Sequence, residues 1–259
     1  MVDQQPGDQF YFARRGGVLA VGVHFELVNM PPKLIFFLTA LLTPIVLLGF
    51  ALRLLLTPIF PAMEYNLPWF PPDDYGFTVG DRVGWSRYAV EYLTNREDIG
   101  YLSRLHFENG ESLFNERELS HMEDVKRVTR GALDVFYLAL AGLALLGLWS
   151  KRGDQWSAFR QGLKRGGGIM VGIAGAVAAV VAVGMFLIPD LFWTFFSGFH
   201  ALFFKGDSWL FEYSDTLIRL FPLRFWQDAF LLVALIAVAG GLGLALGIKR
   251  DTTKTRDTK

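Results

Sequence analysis

The chain has 259 residues, 52% of them apolar, and no cysteine, which excludes disulfides, thiolate nucleophiles and cysteine metal ligands. Its 25 basic and 25 acidic residues cancel, which argues against a nucleic-acid partner. The apolar residues are gathered into four long stretches, at 34–56, 131–149, 167–188 and 229–248.

Each stretch approaches the roughly 20 helical residues that cross a bilayer core. Backbone groups in lipid must pair within their own segment, so these stretches become helices. The expected fold class is therefore all-α integral membrane with four transmembrane helices. In chain order we expect a cytoplasmic tail (1–32), a first span (33–58), an extracytoplasmic subdomain (59–128) and a second span (129–150). A cytoplasmic loop (151–166), a third span (167–189), an aromatic extracytoplasmic segment (190–226), a fourth span (227–248) and a cytoplasmic tail (249–259) follow.

The first apolar segment lacks a small-residue cleavage site and reads as a retained signal anchor. Met30-Pro-Pro-Lys33 would make a natural start, so residues 1–29 are expected to be dispensable, and His24 within them takes no role. Lys151, Arg152, Arg160, Lys164 and Arg165, together with the basic tail and with Arg14, Arg15 and Lys33, place those segments in the cytoplasm. Both termini are then inside, and segments 57–128 and 189–227 face outward.

Within the spans, Pro44 is expected to kink the first helix. Gly168, Gly172 and Ala176, with Gly243 and Gly247, form small-residue ridges suited to packing the bundle. Arg53 stands near the outer end of the first span, where it either snorkels to the headgroups or lines a polar cavity.

In the first outer segment, residues 61–75 read as a loop along the interface. Asp81 is expected to cap a helix through Thr94, with Val83, Tyr88, Val90 and Leu93 turned inward. Asn109-Gly110 between alternating apolar residues predicts a β-hairpin that leaves His106 on its solvated face. The outer subdomain is therefore expected to be a short helix plus a β-hairpin.

Asn115 followed by Glu118 is a capping arrangement, and no breaker intervenes before Gly131, so one helix should run directly into the second span. On it Glu118, His121 and Asp124 recur at three-residue spacing along one face. A histidine flanked by carboxylates suits general acid–base work, although a solvated juxtamembrane helix with incidental ion pairs has the same pattern.

The second outer segment is dense in Phe and Trp and reads as an interfacial or partly re-entrant helix. His200 lies in it among Phe196, Ser197, Phe203 and Phe204, surroundings that disfavour the charged imidazole. An aromatic-belt histidine touching water would fit the same residues. Trp209, Asp215 and Arg219 then precede Phe221-Pro222, which ends the segment.

Four segments together resemble a family of bacterial four-span membrane proteins that includes the lipoprotein intramolecular transacylase. They are residues 114–126 (FNERELSHMEDVK), 199–204 (FHALFF), 209–211 (WLF) and 215–222 (DTLIRLFP). The resemblance implies an enzyme of the bacterial plasma membrane acting on a diacylglyceryl-modified lipoprotein. The sn-2 acyl chain would move from the glyceryl group to the α-amine of the same N-terminal cysteine. It also implies His121 and His200 as the catalytic pair.

Tethered amine and ester need no protein nucleophile, and no cofactor or metal is expected. Glu118 or Asp124 would orient His121, with Asn115 and Trp209 supporting the site. Arg219 would either hold a polar substrate group or pair with Asp215. A monomer is favoured. Two other readings remain: a non-catalytic lipid- or lipoprotein-binding or assembly protein, and a hydrolase with a metal held by the two histidines and a carboxylate.

Overall fold

The computed structural model describes residues 30–248; the expectations for residues 1–29 and for the tail 249–259 lie outside them. Nine helices occur among the described residues: α1 (Pro32–Leu55), α2 (Ile59–Glu64), α3 (Val79–Thr94), α4 (Gly100–Ser103), α5 (Glu116–Arg152), α6 (Trp156–Phe186), α7 (Pro189–Phe203), α8 (Thr216–Leu220) and α9 (Leu223–Gly247). Of these, α1, α5, α6 and α9 are long and apolar enough to cross a membrane, and the chain is a multi-pass membrane protein.

Proline opens α1, where a missing N–H costs nothing, and Pro44 lies inside this continuous helix. Helix α6 packs most extensively against α9 and α1, and α1 also lies along α5. The close approaches depend on glycine. A Cβ at Gly167 would lie 2.7 Å from the carbonyl oxygen of Gly241, and the reciprocal contact is the same. Gly162 and Gly166 approach Thr39 and Thr43 of α1 in the same way.

The small-residue ridges read from the sequence are out of phase with this packing. Gly168, Gly172, Gly243 and Gly247 meet nothing within 4 Å, and Ala176 is exposed. A helix turns about 100° per residue, so moving from Gly167 to Gly168 exchanges an interhelical contact for an outward-facing position.

Three further expectations need correction. The connection expected over 151–166 is only residues 153–155, because the proline-free stretch from Trp156 onward winds as the first turns of α6. Thr78, not Asp81, caps α3; Asp81 stands at the third helical position and completes a reciprocal capping box. The buried face of α3 holds Arg82, Ser86, Ala89, Val90 and Tyr92, whereas Tyr88 is exposed.

The β-hairpin also fails to form: no strand occurs among the described residues, and His106 and Ser112 make one isolated antiparallel bridge. The Asn109-Gly110 turn is present, with Gly110 at φ +86° and Phe107 N–H donating to Glu111 O at 2.8 Å. Helix α4 ends at Ser103 and Asn115 already caps α5, so the arms are too short to extend a ladder.

The segments between α1 and α5 and between α7 and α9 share one core. Tyr92 of α3, Leu102 of α4, Leu113, Phe114, Met122 of α5, and Leu217 and Leu220 of α8 are all buried together. This cluster fixes the start of α5 against the segment that follows α7.

Candidate functional site: a buried histidine pair in an aromatic shell

The site is built on the junction of α5 with the outer core. Asn115 accepts from Glu118 N–H at 3.0 Å, and Glu118 accepts from Asn115 N–H at 2.7 Å, which closes the capping box. Glu118 is fully buried, and its second oxygen accepts from Leu217 N–H at 2.6 Å. The first turns of α5 are thereby joined to the start of α8. Lys126 adds a second tie, donating to Asn95 and to Glu97 O with its ammonium 3.7 Å from the Tyr92 ring centroid.

One turn beyond Glu118, His121 points into the same buried face, still outside the apolar stretch of α5. Its counterpart comes from α7. A tight turn after α6 brings α7 back along it: a Cβ at Gly184 would lie 2.7 Å from Phe192 N. Phe192 and Phe196 then bury one face of α7, and His200 in its last turn completes that face.

The imidazoles of His121 and His200 lie with ring centroids 6.5 Å apart and planes 18° from parallel. Around them stand Phe204 and Phe211, at 4.9 and 5.3 Å from His121, and Phe196 and Trp209, at 4.1 and 4.6 Å from His200. Both histidines are 8% exposed, so the shell removes nearly all water. At this separation the two rings cannot hydrogen-bond directly, but a reacting group between them would be within reach of both.

The two rings differ in their partners. His200 Nδ1 lies 2.8 Å from the carbonyl oxygen of Phe196, one turn back in α7. A carbonyl only accepts, so Nδ1 carries the proton and the neutral ring keeps its lone pair on Nε2. His121 Nδ1 is buried with no hydrogen-bond partner among the described residues, none of which fixes its tautomer.

Burial lowers the pKa of both rings. For His121 the neighbouring His200 lowers it further and Asp124 opposes; for His200 the bond to Phe196 opposes. Both are therefore neutral near pH 7.

The carboxylates flanking His121 in sequence do not hold it. Glu118 spends both oxygens on backbone N–H groups, and the half-buried Asp124 pairs with the exposed Arg127 at 2.9 Å. Three-residue spacing puts these side chains on a shared helix face, but neither reaches the imidazole.

Arg219 does not pair with Asp215. It grips Asp73, its Nε and Nη2 at 3.2 and 2.9 Å from Oδ2, while Arg82 lies 3.7 Å from Oδ1. Asp215 instead accepts from Asn115 at 3.0 Å and from Arg117 at 3.4 Å, bracing the cap of α5. His106 lies on the surface, its Nδ1 2.9 Å from Arg104 O.

Two parts of this arrangement were missed in the sequence. Asp73 sits in a Pro-Pro-Asp-Asp run that reads only as a turn, 146 residues from its arginine. Phe211 was present in the 209–211 motif but gave no sign that it would face His121. Among the described residues, no three His, Asp or Glu side chains are grouped so as to hold a metal ion.

These features define a polytopic helical membrane protein whose extramembrane helices converge on a buried histidine pair. The sequence matches the family described as "Lipoprotein intramolecular transacylase Lit" over residues 36–226. The chain belongs to that family, and it is a transacylase-like enzyme.

A relative from Aquifex aeolicus (strain VF5), described only as an uncharacterized protein, is 28% identical over 216 residues, covering 81% of this chain and 91% of its own. The fold is that of the membrane-integral lipoprotein intramolecular transacylase Lit from Bacillus cereus, with a TM-score of 0.57 and 16% identity over 82% of this chain and 92% of that one. A second structure of the Bacillus cereus enzyme, carrying a histidine-to-arginine substitution, gives a TM-score of 0.62 over 84% and 90% of the two chains, again at 16% identity.

Proposed function

We propose that this enzyme moves the sn-2 acyl chain of a diacylglyceryl-modified lipoprotein to the α-amine of the same N-terminal cysteine. The observation that supports this reading best is the near-parallel His121–His200 pair with its unequal hydrogen bonding.

The reaction forms a C–N bond and breaks a C–O bond. The nitrogen must lose a proton, the tetrahedral oxyanion must be stabilised, and the sn-2 oxygen must leave protonated. His200 is the base, because Phe196 O holds the proton on Nδ1 and leaves Nε2 to accept one from the attacking amine. His121, whose tautomer is free, donates a hydrogen bond to the oxyanion, and His200 passes the proton it took from nitrogen to the departing oxygen. The proton taken from nitrogen is returned on oxygen, so none is consumed.

Amine and ester belong to one substrate, so attack is unimolecular once their geometry is set. The shell of Phe196, Phe204, Trp209 and Phe211 excludes water, which would otherwise hydrolyse the ester. Asp73, Arg82 and Arg219 brace the outer segments rather than touching substrate. Lys151 and Arg152 at the end of α5, with Arg160, Lys164 and Arg165 in the first turns of α6, support a cytoplasmic position for that end of the bundle and an outward-facing histidine pair. The enzyme thus meets its lipoprotein in the outer leaflet of the bacterial plasma membrane.

Expression in a bacterial host that lacks lipoprotein N-acylation tests the reading. Mass spectrometry should show N-acyl, monoacylglyceryl lipoprotein with the wild type. A diacylglyceryl lipoprotein with a free amine, in the presence of folded enzyme, would contradict it.

A further inference from the structure

Helix α5 carries a second polar site on the face opposite His121. Arg130, Asp134 and Tyr137 lie about half a helical turn around from the histidine. They line an open cavity of about 640 Å³ together with Arg53 of α1 and with Thr94, Asn95 and Arg96 at the end of α3. The structure assigns this cavity to the phosphate headgroup of an anionic phospholipid of the outer leaflet.

Charge supports the assignment. Three guanidiniums face one carboxylate, that of Asp134, so the lining carries two net positive charges. Among the described residues none of the three arginines forms an ion pair. Two are instead held in place by backbone carbonyls: Arg130 donates to Asn95 O at 2.6 Å and Arg53 to Leu56 O at 3.3 Å. Preset guanidiniums without carboxylate partners suit a phosphate, which they bind through several N–H groups at once.

Depth supports the lipid source. Arg53 lies in the last turn of α1, and Arg130 stands where the polar start of α5 gives way to its apolar stretch. Both positions are at headgroup level. Below them Tyr137 and Leu138 are exposed, at 50% and 74%, and continue the wall along α5 as a surface for acyl chains. Arg53 lines the cavity from α1.

Native mass spectrometry of the detergent-solubilised enzyme tests this without reference to acyl transfer. Phosphatidylglycerol, phosphatidylcholine of the same chains, and soluble glycerol 3-phosphate are the probes. Phosphatidylglycerol adducts should exceed phosphatidylcholine adducts, and soluble glycerol phosphate should bind far more weakly than the lipid. R96Q, at an exposed residue, should weaken phosphatidylglycerol binding about fivefold, since a basic side chain at an anionic lipid surface contributes about that factor. The triple variant R53Q/R96Q/R130Q should bring it to the phosphatidylcholine level, with thermal unfolding confirming that both variants remain folded. Equal adducts of the two lipids on the wild type, or unchanged phosphatidylglycerol binding by folded R96Q, would overturn the site. Glycerol phosphate binding as tightly as the lipid would overturn its assignment to the membrane.

Discussion

The Glu118 carboxylate bridges Asn115 N–H and Leu217 N–H, 2.7 and 2.6 Å away, and so ties the start of α5 to a segment 99 residues further on. Its removal acts on stability through two separate losses. Glu118→Ala opens the capping box, at about 1 kcal/mol, and strands the buried Leu217 N–H, at about 1–3 kcal/mol. Glu118→Gln keeps an acceptor and should cost clearly less. Thermal unfolding in detergent should rank the wild type, the Gln variant and the Ala variant in that order.

The two acidic residues beside the arginines should separate sharply. Asp73 neutralises the nearly buried Arg82 and Arg219, so Asp73→Ala leaves buried charge uncompensated and should cost about 3–5 kcal/mol. Asp215 pairs with Arg117, which is half exposed; the loss of that ion pair should cost at most about 1 kcal/mol. Equal destabilisation of the two alanine variants in the same unfolding assay would contradict the network described.

Neighbouring glycines of α6 offer a test of packing phase. Gly167→Ala drives a methyl group to 2.7 Å from Gly241 O and should destabilise the bundle by about 1–3 kcal/mol. Gly168→Ala meets open space and should be neutral, or stabilising by up to about 1 kcal/mol through helix propensity. The difference should appear as a lower unfolding temperature for the first variant only.

Burial lowers the pKa of both His121 and His200. Each ring should therefore stay neutral as pH falls through about 6.5, the ordinary histidine value, and should take up its proton only below it. Imidazole resonances of isotope-labelled enzyme in micelles, assigned with H121N and H200N, report this directly. Midpoints at or above 6.5 would contradict the dry aromatic shell.

The sequence discloses what depends on local pattern. Four apolar stretches mark the spanning helices, and Asn115 with Glu118 marks the start of α5, because both signals lie within one helix. What it conceals depends on distant partners. The spacing of Glu118, His121 and Asp124 puts them on related faces of α5, yet Leu217 and Arg127 claim the two carboxylates. Arg219 had an acid four residues before it, but Asp73 lay in the geometry its guanidinium required. The glycine ridge missed its phase by one residue, which only the placement of α9 decides. The hairpin turn was legible, but the missing strands follow from how soon α4 ends and α5 begins.

A labelled substrate distinguishes acyl transfer within one lipoprotein, in the site between His121 and His200, from transfer between two. Purified enzyme in lipid nanodiscs would be given an equal mixture of two diacylglyceryl lipopeptides, one with a deuterated sn-2 chain and the other with a distinguishable peptide. Tandem mass spectrometry of the products should find deuterium on the α-amine of the originally labelled peptide alone. Replacing either histidine with alanine should lower the rate about 10²–10⁴-fold. Label on the other peptide's amine, release of free fatty acid in place of N-acylation, or full activity in both folded alanine variants would contradict the account.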